Sequence, residues 1–186
     1  PESQSDVLYT VNNPGLLNSK ITGQYAATYG SVLPGIKLGA AGYSMSKGKH
    51  NFSITGVYID YGTMERLDAG GNYEGQMIAN EMAFRIGHSF NWKGLQIGSQ
   101  LGYTYAVLGP YVSNGAFINV GFQYSKTDTG IQIGGVIKNL GYQVAEFKNA
   151  ERESLPFEIQ LGASYKPLHM PFRFHVALHS LQRWDL

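Results

Sequence analysis

Residues 94–105, which read GLQIGSQLGYTY, largely alternate between apolar side chains and small or polar ones. Successive side chains of a β-strand point to opposite faces, so this segment predicts a strand with one apolar and one polar face. The polar face carries no charge here, whereas the outer face of a soluble sheet normally carries Lys and Glu. An apolar face toward lipid and a polar face toward a lumen are typical of transmembrane β-barrel strands.

Eight further segments repeat this pattern. The predicted strands are residues 21–31, 36–47, 51–61, 77–90, 94–105, 116–126, 131–139, 156–166 and 172–179. Charged residues make up only 15% of the chain, well below the roughly 25% of a typical soluble domain. No apolar run approaches the roughly 18 residues that a membrane helix needs. We therefore expect an all-β fold, an antiparallel transmembrane β-barrel bounded by lipid.

The connections between the predicted strands differ in length at the two ends of the sheet. Gly62–Gln76 and Leu140–Leu155 are polar and charged and predict long loops, Val107–Gly115 predicts a medium loop, and the connections after strands two, four, six and eight are short. Outer-membrane barrels have short periplasmic turns and longer outside loops. Because loops on a rigid scaffold often carry recognition, the charged loop residues are the expected partner contacts: Glu65, Arg66, Asp68, Glu74, Glu146 and Lys148.

Aromatic residues near the predicted strand ends suit the two interfacial girdles of a barrel. They are Tyr61, Phe90, Trp92, Tyr105, Tyr124, Tyr165 and Trp184. The alternative is that Tyr, Phe and Trp are simply good strand formers.

Residues 1–20 lack strand alternation and are expected to form a plug-like segment, with the barrel strands in residues 21–186. Asn13 is suited to cap a short helix that begins at Pro14, whose missing amide proton would be unpaired there anyway. The functional interpretation of this turn is part of a plug; the alternative is a capped helical turn with no further role. Small residues on the polar face leave room for a terminal segment or an inserted loop: Gly98, Gly102, Gly121, Gly134 and Gly162.

No pattern of residues indicates catalysis, so we expect a protein that is not an enzyme and that has no cofactor. The closest histidines, His175 and His179, would lie roughly 13 Å apart along a strand, too far to share one metal ion. The charge of +1 and the lack of a basic patch give no reason to expect nucleic-acid binding. Charged or titratable residues expected on the lumen face are Arg85, Lys138, Glu158, Arg173 and His175, as a solvated wall, as internal salt bridges or in transport.

Nine is an odd number of strands, whereas bacterial barrels are usually even-stranded. The unpaired edges of an open sheet are not viable in lipid. We therefore expect a natural protein that is longer at the C-terminus and also at the N-terminus. The chain shows no secretory signal, which favours a processed or trimmed form.

Two groups of short motifs resemble a known family. Asn13-Pro14-Gly15-Leu16-Leu17 resembles the N-P-A-G-L signature in the plug region of FadL-like outer-membrane barrels, with Gly15 in place of the usual Ala. A second group resembles the PorV/PorQ branch of that family in Bacteroidetes: Tyr61-Gly62-Thr63, Asp68, Gly71, Gly75 and Lys138-Asn139-Leu140-Gly141. The resemblance covers nearly the whole chain.

The resemblance implies a barrel of about 14 strands, within the range of bacterial outer-membrane barrels, of which part is missing here. It also implies a noncatalytic, structural or docking role in the type IX secretion system of the outer membrane, which exports and surface-attaches cargo proteins. The implied partners are other secretion components directly and cargo proteins indirectly. The alternative implied by the wider family is a channel for fatty acids or other hydrophobic small molecules.

Overall fold

The computed structural model describes residues 6–145, 155–167 and 170–183. These residues form one antiparallel sheet of nine strands that neighbour one another in chain order. The strands are β1 Tyr25–Leu33, β2 Ile36–Lys47, β3 His50–Leu67, β4 Tyr73–Trp92, β5 Leu95–Leu108, β6 Tyr111–Lys126, β7 Ile131–Ala145, β8 Glu158–Tyr165 and β9 Phe174–Leu178. The prediction of an all-β fold with nine strands is confirmed. Within the described residues β1 and β9 do not pair with each other, so the sheet is open.

Backbone geometry fixes the hairpin between β4 and β5. Lys93 and Gly94 both have positive φ, at 50° and 88°. Positive φ at both central residues is the mark of a type I′ turn, whose twist matches that of the flanking strands. The Asn91 Oδ1 accepts a hydrogen bond of 3.1 Å from the Gly94 amide and closes the turn.

The prediction of a loop over Gly62–Gln76 is wrong. β3 continues to Leu67 and β4 begins at Tyr73, with Glu65 opposite Gln76 in register. On β3 the pairing with β2 ends at Asp60, and on β4 the pairing with β5 begins at Ala79. The parts of β3 and β4 between these two residues therefore pair only with each other and form a two-stranded ribbon beyond the sheet. Polar residues suit such a ribbon because both of its faces meet solvent. We call residues 61–78 the protruding hairpin.

The other predicted connections also change. Only Gly109 and Pro110 separate β5 from β6, so the medium loop at Val107–Gly115 is wrong. β7 runs on to Ala145, which shortens the loop predicted at Leu140–Leu155; its residues Glu146 and Lys148 lie outside the described residues. The connection between β8 and β9, at residues 166–173, is longer than expected. Alternation continues through the residues added to β5, β6 and β7, but Gly and Pro residues obscure it in the sequence.

The two faces of the sheet have opposite character, and the polar one is buried. Ile86 and Leu101 expose 63% and 61% of their surface, whereas Ser89 and Gln100 on the other face expose 0% and 1%. A buried apolar cluster of Val7, Leu17 and Ile21 belongs to the N-terminal segment, residues 6–22, which packs on the polar face. Among the described residues, none of the helices has the length and apolar character to cross a bilayer.

Candidate functional site: the polar face and the N-terminal segment

The N-terminal segment is built from three short 3₁₀ helices, at Val7–Val11, Pro14–Leu16 and Ser19–Ile21. Each begins after a residue whose side chain accepts a hydrogen bond from the backbone two residues later: Asp6, Asn13 and Asn18, over 2.8, 2.8 and 2.9 Å. These caps satisfy amide groups that a short helix cannot pair internally. The segment thus has a defined shape despite lacking longer helices. Its packed part includes Ile21, one residue beyond the expected boundary at residue 20.

Asn13 joins the segment to the sheet. Its Oδ1 caps the turn that begins at Pro14, as the sequence predicts. Its Nδ2 donates to the carbonyl oxygens of Phe122 on β6, over 3.4 Å, and of Gly135 on β7, over 3.3 Å. One amide side chain therefore organises the turn and also bridges two strands.

Small residues make this close approach sterically feasible. A Cβ on Gly98 would overlap the Pro14 carbonyl oxygen, and one on Gly121 would overlap the Asn13 side chain. A Cβ on Gly15 would lie 2.6 Å from the Phe122 backbone. No side chain fits at these three positions, which accounts physically for Gly rather than Ala at residue 15.

The three other glycines of the polar face behave differently. A Cβ on Gly134 would lie 3.2 Å from the Phe122 carbonyl oxygen and 3.8 Å from the Asn13 Nδ2, while Gly102 lies under the ring of Phe117. A Cβ on Gly162 would make only an ordinary contact, of 3.6 Å, with the Val176 carbonyl oxygen. The N-terminal segment therefore occupies part of the room that the glycines leave.

Polar side chains of the sheet donate to the backbone carbonyls of the segment. The Leu17 carbonyl accepts from Gln96 Nε2 over 2.8 Å and from Ser89 Oγ over 2.5 Å. The Thr10 carbonyl accepts from Gln100 Nε2 over 2.8 Å, and the Ile21 carbonyl accepts from Ser44 Oγ. These anchors were not predicted. Their uncharged, polar character along one strand face was visible in the sequence, but their partners, distant in the chain, were not.

Arg85 lies on the polar face, on β4. Its cross-strand neighbours are Thr55 and Gly102, and its guanidinium carbon lies 5.4 Å from the centre of the Phe117 ring. Its Nε and Nη1 are enclosed and have no hydrogen-bond partner among the described residues. Glu81 on the same face instead accepts from Thr104, over 3.3 Å. Neither a solvated wall nor a salt bridge describes Arg85; a cation–π contact does.

The remaining lumen-face candidates lie toward the β7–β9 side of the sheet. Lys138 and Glu158 are cross-strand neighbours, and Glu158 Oε1 lies 3.8 Å from His179 Nδ1. Arg173 Nη1 donates to Gln132 Oε1 over 3.1 Å and to Ser164 Oγ over 3.0 Å.

His175 lines an open groove beside Asn13, together with Gln123 and Ser164. The structure therefore divides the predicted set into the isolated Arg85 and a polar group near the β9 edge.

The protruding hairpin carries the described partner-contact candidates, on paired strands and a tight turn. Arg66 Nη2 and Glu74 Oε2 form an exposed ion pair of 2.7 Å across it. In the turn, the Asp68 carboxylate accepts from Asn72 Nδ2 over 2.9 Å and from the Asn72 and Gly70 amides over 2.8 Å. These bonds, that from the Asn72 side chain above all, hold the pKa of Asp68 below its usual value. This surface is ordered by its own contacts.

Aromatic residues flank the exposed apolar face, and four of those predicted do so at one end of the sheet: Phe90, Trp92, Tyr124 and Tyr165. Tyr61 departs from that prediction. Its hydroxyl donates to Glu81 Oε2 over 3.5 Å on the polar face, because Tyr61 lies an even number of residues after Ser53 and Thr55 and therefore shares their face of β3. Trp184 lies outside the described residues.

One pair of neighbouring histidines was not predicted from the sequence. His50 Nδ1 and His88 Nε2 lie 3.0 Å apart on neighbouring strands, with their rings stacked. Strand pairing brings them together, so their separation in sequence gave no signal. Among the described residues no group of three or more potential metal ligands occurs.

Comparisons of the chain with protein-family models, with curated proteins and with solved structures found no match.

Proposed function

We propose that this chain forms wall strands of a transmembrane β-barrel in a bacterial outer membrane. The single observation that supports this best is the inverted burial of the sheet: its polar face is covered and its large apolar side chains are exposed. A soluble protein rarely exposes a contiguous apolar surface of this kind. Strands β3 to β7 span 14 to 20 residues, longer than the roughly 9–11 that a tilted strand needs to cross a bilayer.

The open edges at β1 and β9 are part of the same proposal. Unpaired backbone groups at these edges would cost several kcal/mol each in hydrocarbon. We infer that further strands pair with both edges in the assembled barrel. In that barrel the polar face lines the lumen, and the N-terminal segment is a plug fastened to it by Asn13, Gln96 and Gln100.

We further propose that the barrel is a structural or docking component of the type IX protein secretion system. The support is the resemblance of the motif around Asn13 to FadL-like barrels and of the motifs that begin at Tyr61 and Lys138 to the PorV/PorQ branch, together with the hairpin that projects beyond the sheet. An ordered, charged hairpin on a rigid sheet suits protein recognition. Its proposed contacts are Glu65, Arg66, Asp68 and Glu74, toward other secretion components and, through them, cargo.

The test is extraction of the full-length protein from outer membranes in mild detergent, followed by mass spectrometry of what co-purifies. Stoichiometric recovery of secretion components supports the docking role. Recovery of the barrel alone with a tightly held fatty acid contradicts it and favours a channel.

A hairpin variant locates the contact. Replacing residues 66–74 by Asn-Gly shortens the ribbon while leaving the paired sheet intact, and Lys93→Asn at the opposite turn is the control. We expect the shortened variant to assemble but to lose the co-purifying components, and the control to retain them. Unchanged recovery with the shortened hairpin would contradict the assignment of the contact.

A further inference from the structure

The two ends of the sheet differ in charge. The turns after β2, β4, β6 and β8 lie at the end that also holds the Ser19–Ile21 turn, since Thr22 Oγ1 donates to Ser46 over 2.5 Å. This end, which we call the basic edge, carries six lysines: Lys20, Lys47, Lys49, Lys93, Lys126 and Lys166. Asp128 is the one acidic residue described in its turns.

The opposite end mixes the signs and is richer in acid. Its described acidic residues are Asp60, Glu65, Asp68, Glu74, Glu81 and Glu158, and its described basic residues are Lys37, Arg66, Lys138 and Arg183. The formal charge of the whole chain is only +1. The basic edge therefore reflects where the charged residues lie along the strands, not an excess of positive charge in the chain.

The lysines of the basic edge are available to a ligand. Lys20, Lys47, Lys49, Lys93 and Lys126 are exposed and Lys166 is half-buried. None of the six forms an ion pair with another described residue. Lys93 Nζ lies 5.8 Å from the centre of the Trp92 ring, a contact that leaves the ammonium protons accessible.

Exposed aromatic residues separate the basic edge from the apolar face. Phe90, Trp92, Tyr124 and Tyr165 expose 37–59% of their surface just inside the lysines. Trp and Tyr prefer the level of the lipid head groups. In a membrane this arrangement brings the lysine ammonium groups to the level of the phosphates, which Lys binds as a compact point charge.

We propose that the basic edge binds the head groups of anionic phospholipids in the leaflet on its side of the membrane. This inference rests on the proposed barrel, because only insertion brings the edge to the head groups. Charge complementarity and continuity with the exposed apolar face identify the partner. The group bound is the phosphodiester of the lipid, at the level of the membrane where the transmembrane strands end.

The experiment uses the full-length protein in vesicles of phosphatidylcholine, with and without one part in four of phosphatidylglycerol. Spin-labelled lipids report which lipid is enriched around the protein. We expect phosphatidylglycerol to be favoured roughly fivefold at low salt, the factor that one lysine near an anionic surface contributes, and the preference to fall in molar salt.

Substitutions distinguish lipid binding at the basic edge from an effect of the overall charge of the protein. The variant Lys47→Gln, Lys49→Gln, Lys93→Gln, Lys126→Gln is expected to lose the preference, whereas Lys37→Gln with Arg66→Gln at the opposite end is expected to keep it. Insertion into both vesicles without enrichment would overturn the lipid proposal and leave the barrel standing. Failure to insert into either would instead overturn the barrel. Equal preference in both variants would also overturn the role of the basic edge.

Discussion

The two faces of this sheet differ in the type of side chain they carry and in how far those side chains are buried. Ile54, Ile86 and Leu101 stand exposed on one face, while Thr55, Ser89 and Gln100 lie buried on the other. Burying polar groups is costly unless they are hydrogen-bonded, and Ser89 and Gln100 are bonded to the N-terminal segment. Among the described residues, none covers the apolar face in this way. The difference teaches that the chain supplies much of the covering of its polar face itself, whereas the covering of the apolar face has to come from elsewhere, which in the proposed barrel is lipid.

Leu101→Arg is expected to have the largest effect on this contrast. A cationic side chain on the lipid face costs about 2–4 kcal/mol near the bilayer midplane, so the free energy of unfolding in vesicles should fall by that amount. Gln123→Arg, in the open groove on the other face, is the control and should change the free energy of unfolding by less than about 1 kcal/mol. Denaturant titration in vesicles measures both. An unchanged Leu101→Arg protein would show that this face does not meet lipid.

Gly98→Val tests the packing of the N-terminal segment. The added side chain would collide with the Pro14 carbonyl, and overpacking of this kind costs about 1–3 kcal/mol. We expect the segment to detach, with faster amide exchange at Leu17 while the strands stay protected. Gly162→Val introduces the same side chain on the same face, where its Cβ would make only an ordinary contact of 3.6 Å. Equal exchange in the two variants would count against a fitted segment.

Asn13 offers a finer test, because two substitutions remove different bonds. Asn13→Ala removes the cap and both bonds to the sheet, for a loss of about 1–3 kcal/mol in the docking of the segment. Asn13→Asp keeps the cap but cannot donate to Phe122 and Gly135. The amides of Gly15 and Leu17 should therefore both exchange fast in the Asn13→Ala variant. In the Asn13→Asp variant only the Leu17 amide should exchange fast. Identical profiles would show that capping alone positions the turn.

The smallest effect concerns the turn of the protruding hairpin. The folded pKa of Asp68 is lowered by bonds from Asn72 and from the Gly70 amide, so its contribution to stability is present above the pKa of an unfolded Asp. That contribution is lost as the pH falls through the lower, folded pKa. Chemical shifts of the Gly70 and Asn72 amides should change together in that range. Asp68→Asn should abolish the transition, and a transition that persists would contradict the assignment.

The sequence allowed much of this architecture to be predicted. Alternation located nine strands, and the order Asn13, Pro14 predicted the capped turn. Charge and glycine content misled at residues 62–76, because a ribbon with two solvated faces has the composition of a loop. The anchoring role of Gln96 and Gln100 required knowledge of which distant backbone lies beside them. Local pattern fixes a strand, whereas its contacts depend on the whole sheet.

The central claim, that the exposed apolar face meets lipid and the polar face does not, has a direct test. The chain has no cysteine, so Leu101→Cys and Gln123→Cys each accept a single spin label. In vesicles we predict that the label at residue 101 collides with oxygen, which concentrates in lipid, and is shielded from a water-soluble nickel reagent. The label at residue 123 should show the reverse. Equal access of the nickel reagent to both labels would contradict the account.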